Sequence, residues 1–80
     1  MVTERCVDYL VSFFKLVEDA ANPKRVRAHQ DYVEGMVAMA RAADIITLDM
    51  EAELKDRLEH LAEARIQKLK NREAVHHGVD

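Results

Sequence analysis

The chain has 80 residues, one cysteine and a formal net charge of −3, and 49% of its residues are hydrophobic while 34% are charged. The composition excludes an intrinsically disordered chain, the single cysteine excludes an intrachain disulfide, and the length excludes a second domain. A chain this short buries only about 60 to 65% of its unfolded surface, so oligomerisation is the expected source of further stability. We expect one packed domain in a reducing compartment, with the cytoplasm as its location.

The first ten residues and the apolar runs indicate neither export nor membrane insertion. Glu4, Arg5 and Asp8 occupy the stretch where a secretory signal needs an uninterrupted apolar run. The longest apolar runs, such as Met36 to Ala40, are far shorter than the roughly 18 residues that span a bilayer. We therefore expect no membrane partner.

An all-α fold is predicted because the chain holds only two glycines and one proline, too few turn residues for a β protein. A first helix over about residues 3–21 is indicated by apolar residues that recur at helical spacing. Its apolar arc covers more than half of the circumference, so this helix is expected to be the most buried element. Four of its residues are expected to be nearly fully buried: Leu10, Phe13, Phe14 and Val17.

A second helix over about residues 23–43 begins at the Asn22-Pro23 pair. Asn is a favoured N-cap because its side chain accepts from the free N–H groups of the first turn, and Pro suits the first helical position. His29 lies on the apolar seam of this helix and is expected to be partly buried. Opposite the seam, the sequence predicts a thin outer surface that contains Gly35, Ala38 and Ala42.

A short corner at residues 44–47 leads into a third and longer helix over about residues 48–72, which Thr47 can cap. Its length of about 37 Å exceeds the roughly 27 Å of the first helix, at 1.5 Å per residue. The sequence thus predicts a three-helix bundle in residues 1–73 with a long, overhanging C-terminal helix. Residues 74–80 are expected to form a flexible tail.

The third helix carries two apolar stripes, and the second is rotated from the first by roughly 75°. The first stripe ends at Leu61, and the second contains Ala62, Ile66 and Leu69. One interpretation is that the second stripe packs under the first helix as the bundle bends. The other is that it meets a second copy of the chain, because an overhanging helix would otherwise leave these aliphatic side chains in water. This interpretation predicts a homodimer with an interface at Arg65, Ile66, Leu69 and Arg72.

Acidic residues are concentrated in the first half of the third helix. Between Asp44 and Glu63, seven acids accompany only two bases, a local charge of about −5. A charged helix face is often simply solvated, and early acids suit the helix dipole. The alternative is a surface that docks onto a protein partner with a basic surface. The residues expected to bind this partner are Asp49, Glu53, Asp56, Glu59 and Glu63.

Recognition of DNA by a helix-turn-helix is disfavoured by these same acids. The helix that would enter the major groove begins with Asp49, Glu51 and Glu53, which phosphates would repel. A weaker nucleic-acid hypothesis remains, in which a small regulator binds through the basic ends of the second and third helices. Aromatic residues for base stacking are not interleaved with those bases.

No catalytic residue, metal ligand or cofactor site is predicted. The four histidines are not at ligand spacing with one another or with Cys6, which is expected to behave as a small hydrophobe on the core side of the first helix. We therefore expect a non-enzymatic protein-binding module, and the composition is typical of accessory or inhibitor proteins of phages and plasmids. The nucleic-acid-binding regulator is the alternative.

Overall fold

In a computed structural model, the backbone is described for residues 2–79 and the side chains for residues 2–73. This part of the chain is helical with no β-strand, which confirms the all-α fold. Its helices are α1 (Val2–Ser12), α2 (Phe14–Glu18), α3 (Pro23–Ala42) and α4 (Leu48–Val79).

The predicted first helix is interrupted at Phe13, which separates α1 from α2. The N–H of Phe13 donates to the carbonyl of Leu10 at 3.1 Å, and the N–H of Leu16 donates to the carbonyl of Phe13 at 3.0 Å. Both bonds span three residues instead of the four of an α-helix. The Ser12 hydroxyl also donates to the carbonyl of Tyr9, a local bond that bends helices. A wide apolar arc gives no signal for such a break.

The start of α3 agrees with its predicted cap. The Asn22 side chain accepts from the N–H of Arg25 at 2.9 Å, and Pro23 occupies the first turn. The cap predicted for the last helix is also present, since the Thr47 hydroxyl accepts from the N–H of Met50 at 3.2 Å. Both caps are therefore confirmed.

The end of α3 is formed by Asp44, whose φ of 58° is left-handed. The N–H of Ile45 donates to the carbonyl of Ala40, and the N–H of Asp44 to that of Arg41, both at 3.0 Å. This is the Schellman arrangement, in which glycine is the usual left-handed residue. The corner is tied to α1 because the Thr3 hydroxyl donates to the carbonyl of Ile45 at 3.1 Å.

The last helix is longer than predicted. The sequence predicts an end near Arg72, but α4 continues to Val79, a length of about 48 Å at 1.5 Å per residue. The molecule measures 53 × 17 × 15 Å. Residues 74–79 therefore extend the helix, whereas the last residue of the predicted tail, Asp80, lies outside the described residues.

One hydrophobic core joins all four helices and the corner before α4. Here α4 packs mainly on α3, and α2 packs on both. The buried apolar residues are Leu10, Phe14, Val17, Ala20, Val26, Val33, Val37, Ala40, Ile46, Leu54, Leu58 and Ala62.

The prediction that Phe13 is nearly fully buried is wrong. The break after Ser12 leaves Phe13 half-buried at the edge of the core, where its ring meets Tyr9 edge-on at 5.0 Å and Tyr32 at 6.2 Å. Leu10, Phe14 and Val17 are buried as expected.

Candidate functional site

The outward side of α4 carries most of the acidic residues predicted to bind a partner. Asp49, Asp56 and Glu63 recur every seven residues, which is about two helical turns, so they lie on one line of the helix. All three are exposed, as is Glu53 beside them, and the buried Leu58 lies on the opposite side. We call the four exposed acids the acidic face: Asp49, Glu53, Asp56 and Glu63.

One histidine lies within the acidic face. His60 Nδ1 is 3.5 Å from Asp56 Oδ2, and both side chains are largely exposed. The nearest lysine on this helix, Lys55, lies at the flank and pairs with Glu51 at 3.6 Å.

Glu59 does not belong to the acidic face, although the sequence predicts it there. Arg27 Nη1 donates to Glu59 Oε1 at 3.1 Å and to Oε2 at 3.3 Å. The side-chain N–H of Gln30 also donates to Glu59. The Oε1 atom of Gln30 accepts from Arg27 at 2.7 Å. Glu59 is therefore turned toward α3 and joins it to α4.

This group of side chains, which we call the Glu59 cluster, consists of Arg27, Gln30, Glu34 and Glu59. Gln30 is its centre, with 4% of its surface exposed, and its amide nitrogen also lies 3.4 Å from Glu34 Oε1. The hydrogen bonds from Gln30 and then from Arg27 lower the pKa of Glu59 below its ordinary value of 4.5. Because a buried amide without partners is costly, the cluster satisfies Gln30 where α3 meets α4.

Sequence reasoning missed the Glu59 cluster. The available signal was Gln30 itself, which occupies a position in the apolar seam of α3 between Val26 and Val33. A polar residue in such a seam needs a hydrogen-bonding partner on the facing helix. The sequence alone does not say which residue of α4 supplies it, because 29 positions separate Gln30 from Glu59.

The four residues predicted to form a dimer interface are mostly engaged within the chain. Arg65 Nε donates to the carbonyl of Ala20 at 3.0 Å. Ile66 and Leu69 are partly buried against the core, whereas Arg72 is exposed. The expectation that the two aliphatic side chains stand in water is therefore wrong in part, because both pack against the core of the chain itself. The dimer at this surface stays a prediction, and less exposed apolar surface supports it than the sequence suggested.

The basic residues at the ends of α3 and α4 are likewise divided. Arg27 belongs to the Glu59 cluster and Arg65 binds Ala20, so two of the cations have partners within the chain. The remaining basic side chains of these two clusters are exposed: Lys24, Arg25, Lys68, Lys70 and Arg72.

An open groove of about 740 Å³ lies on the surface where α1 and α2 meet α4. Its floor is apolar and includes Val11 and Leu61, and its rim carries Lys15, Arg57 and His60. The Arg57 guanidinium lies 5.8 Å above the ring of Phe14. His29 lines a second groove, between α2 and the start of α3. It is partly buried there, which confirms the prediction for this residue.

Among the side chains that the structure describes, no three histidine, cysteine, aspartate or glutamate residues are grouped so that they could hold a metal ion. Within the described residues, none of the helices is both long and apolar enough to cross a bilayer. Compared with models of protein families, the sequence matches none, and no curated protein and no solved structure matches it significantly. A proposal about the function therefore rests on the geometry of the chain.

Proposed function

We propose that this protein is a non-enzymatic binding module, a three-helix bundle that docks the acidic face of α4 onto a basic surface of a protein partner. One observation carries the proposal. Four carboxylates share the outward side of α4, and the one acid predicted there that does not, Glu59, is bonded to α3. The acids that remain outward are therefore free of α3 and lie on a rigid helix.

The physical role of such a face is to steer and align. Like charges on one side of a helix produce a field that attracts an oppositely charged partner and raises the association rate. Complementary charges also fix the register of the complex and disfavour wrong partners. The opposite side of α4 is covered by the core, so the packing that holds the helix leaves the acidic face available.

The proposal is tested by charge reversal with a matched control. In the first variant Asp49, Glu53 and Asp56 are changed to lysine. In the control the same change is made at Asp8 on α1, at Glu18 at the end of α2 and at Asp19 directly after it. Both variants change the net charge equally and alter exposed residues, which typically costs less than about 0.5 kcal/mol each.

The measurement is capture of proteins from a nuclease-treated lysate, with identification by mass spectrometry and binding assays on the purified partner. A partner held by the wild type and the control, but not by the first variant, supports the proposal. If the first variant retains that partner with unchanged affinity, the acidic face is not the binding surface.

A nucleic-acid-binding regulator is the second candidate, because the bond from Arg65 to Ala20 brings the basic half of α4 beside the corner that precedes α3. Lys24 and Arg25 then lie at the same end of the molecule as residues 68–72. The test is binding of a duplex DNA fragment at increasing salt, since phosphate contacts weaken steeply with salt. No binding at low salt removes this candidate.

Self-association belongs to the proposed architecture, and the end of α4 is the surface that the sequence predicts for it. Arg65, Ile66, Leu69 and Arg72 would face the same residues of a second copy. Because Ile66 and Leu69 already contact the core, this surface offers less apolar area than the sequence suggested.

A further inference from the structure

The outer side of α3 carries no charge over about three turns, unlike the outer side of α4. From Tyr32 onward, the exposed residues of this helix are uncharged, and we call them the α3 face: Tyr32, Gly35, Ala38, Met39 and Ala42. The two charged residues within the same span lie at the half-buried flank of the helix. Glu34 accepts from Gln30, and Arg41 contacts Asp44 at 3.5 Å.

Large apolar side chains on the α3 face are open to solvent. Tyr32 is 52% exposed and Met39 is 72% exposed. The patch continues onto α1, because Phe13 links the ring of Tyr32 to that of Tyr9, which is 61% exposed. Since an aromatic side chain covers about 150 to 250 Å², these residues leave on the order of 300 Å² of mainly apolar surface in water. Patches of this size on single chains are often binding sites.

Gly35 lies at the centre of the α3 face and has no explanation inside the chain. Glycine in the middle of a helix is less favourable than any residue except proline. A Cβ added at Gly35 would meet nothing within 4 Å, so no neighbouring part of the chain requires its absence. Close approach of another backbone is the usual use of glycine at such a position.

The charges at the two ends of α3 indicate which partner fits. The helix begins with Lys24 and Arg25, which are exposed. Its last turn carries Arg41, which pairs with Asp44 at 3.5 Å, but the side chain of Asp44 is 91% exposed, and Asp49 is exposed at the start of α4. An antiparallel copy of α3 would bring the basic start of each helix beside these acids of the other. Antiparallel helices also place opposite ends of their dipoles together.

We propose that a second copy of this chain docks on the α3 face, with the two α3 helices antiparallel and the two-fold axis near Gly35. Around this axis, Tyr32 of each copy lies opposite Met39 of the other, and Ala28 lies opposite Ala42. The exposed Asp31, one turn before Gly35, comes within the contact and lies beside Ala38 of the other copy. The two glycines let the helices approach closely at the centre. The acidic face of α4 lies on another helix and is independent of this contact.

The size of the contact predicts a weak dimer. The α3 helix is about 30 Å long and about 10 Å wide, and Tyr9 widens the surface at one edge. The area remains below the roughly 800 Å² per partner of a standard interface. We therefore expect dissociation in the micromolar range, so that the dimer is seen at high micromolar concentration.

The test is sedimentation velocity of the full chain and of three variants. Met39→Lys places a charge at the most exposed apolar side chain of the α3 face. Leu48→Lys is the matched control, because Leu48 is an apolar residue on α4 that is 62% exposed, close to the 72% of Met39. The double variant Ile66→Glu with Leu69→Glu probes the other surface, at the end of α4.

The proposal expects the wild type and Leu48→Lys to sediment at twice the 9.2 kDa of one chain and Met39→Lys at 9.2 kDa. Circular dichroism checks that Met39→Lys is folded, and Ala38→Lys replaces it if it is not. A monomeric wild type at high micromolar concentration overturns the proposal. A dimeric Met39→Lys protein overturns it as well. If the double variant is then monomeric, the contact lies at the end of α4.

Cysteine cross-linking tests the antiparallel register, in a Cys6→Ser background. Gly35 is left unchanged, because a larger side chain at the axis would hold the two helices apart. An Ala28→Cys variant alone should not form a disulfide dimer, but it should cross-link to an Ala42→Cys variant in a mixture, because these two positions lie opposite each other within disulfide distance. Efficient cross-linking of the Ala28→Cys protein to itself would overturn the antiparallel arrangement.

Discussion

At the scale of single residues, the structure depends on polar groups that a hydrophobic pattern does not reveal. Gln30 occupies a core position, and it is tolerated there because Arg27 and Glu59 supply its partners. The same bonds remove Glu59 from the surface that its spacing predicts. One buried amide thus influences both how α3 meets α4 and which acids remain on the outward side of α4.

The Glu59 cluster makes a specific prediction about acid. The bonds from Gln30 and Arg27 lower the pKa of Glu59, so the ionised carboxylate stabilises the folded chain above the ordinary value of 4.5. This contribution is lost as the pH falls through the lowered pKa. We expect Glu59→Gln to melt below the wild type at about pH 7, and the difference to shrink at about pH 3.

Thermal melts followed by circular dichroism measure this difference. The control is Glu53→Gln, which removes an exposed carboxylate that belongs to the acidic face. Its effect on melting should be small, because surface charges contribute little to stability. An equal deficit for Glu59→Gln at both pH values would contradict the role assigned to its ionised form.

At the scale of elements, the break between α1 and α2 separates two adjacent phenylalanines. Phe14 is buried in the core, whereas Phe13 is half-buried beside two tyrosines. We expect Phe14→Ala to destabilise the chain by about 3 to 5 kcal/mol. Phe13→Ala should cost about 1 to 2 kcal/mol, since it loses mainly aromatic contacts and partial burial. Urea unfolding measures both free-energy changes. Equal changes for the two variants would contradict a helix break between these phenylalanines.

The elements also show how far local sequence signals reach. Asn22 and Thr47 act on N–H groups three residues away, so their caps could be predicted from neighbouring residues alone. The break at Phe13 could not, because an arc of apolar residues is compatible with a continuous helix as well as with a bent one. Helix existence and type follow from periodicity, whereas bends depend on competing local bonds.

At the scale of the whole molecule, the sequence predicts the charge of the α4 surface but not the coverage of its apolar end. The seven-residue recurrence of Asp49, Asp56 and Glu63 gives a shared face in any α-helix. Whether Ile66 and Leu69 meet water depends on how α4 lies against distant parts of the core. The bond from Arg65 to Ala20 is one such distant contact, across 45 positions. Such distant contacts leave no periodic signal.

A larger residue at Gly35 should favour folding of the single chain but oppose the proposed association. The two effects can therefore be measured separately. Gly35→Ala should stabilise the single chain by up to about 1 kcal/mol, because alanine favours helix and a Cβ meets only open space there. The same methyl group would stand where two α3 helices approach each other, so it should weaken the proposed dimer. The melting temperature of a dimer rises with concentration, whereas that of a monomer does not.

Melts over a wide range of protein concentration should therefore show a crossing. Gly35→Ala should melt above the wild type when the protein is dilute, and this advantage should shrink or reverse when it is concentrated. Ala38→Gly, one turn away on the same face, provides the calibration, because it lowers helix stability without adding bulk. If Gly35→Ala raises the melting temperature equally at every concentration, no second chain approaches Gly35, and the glycine is only a cost to α3.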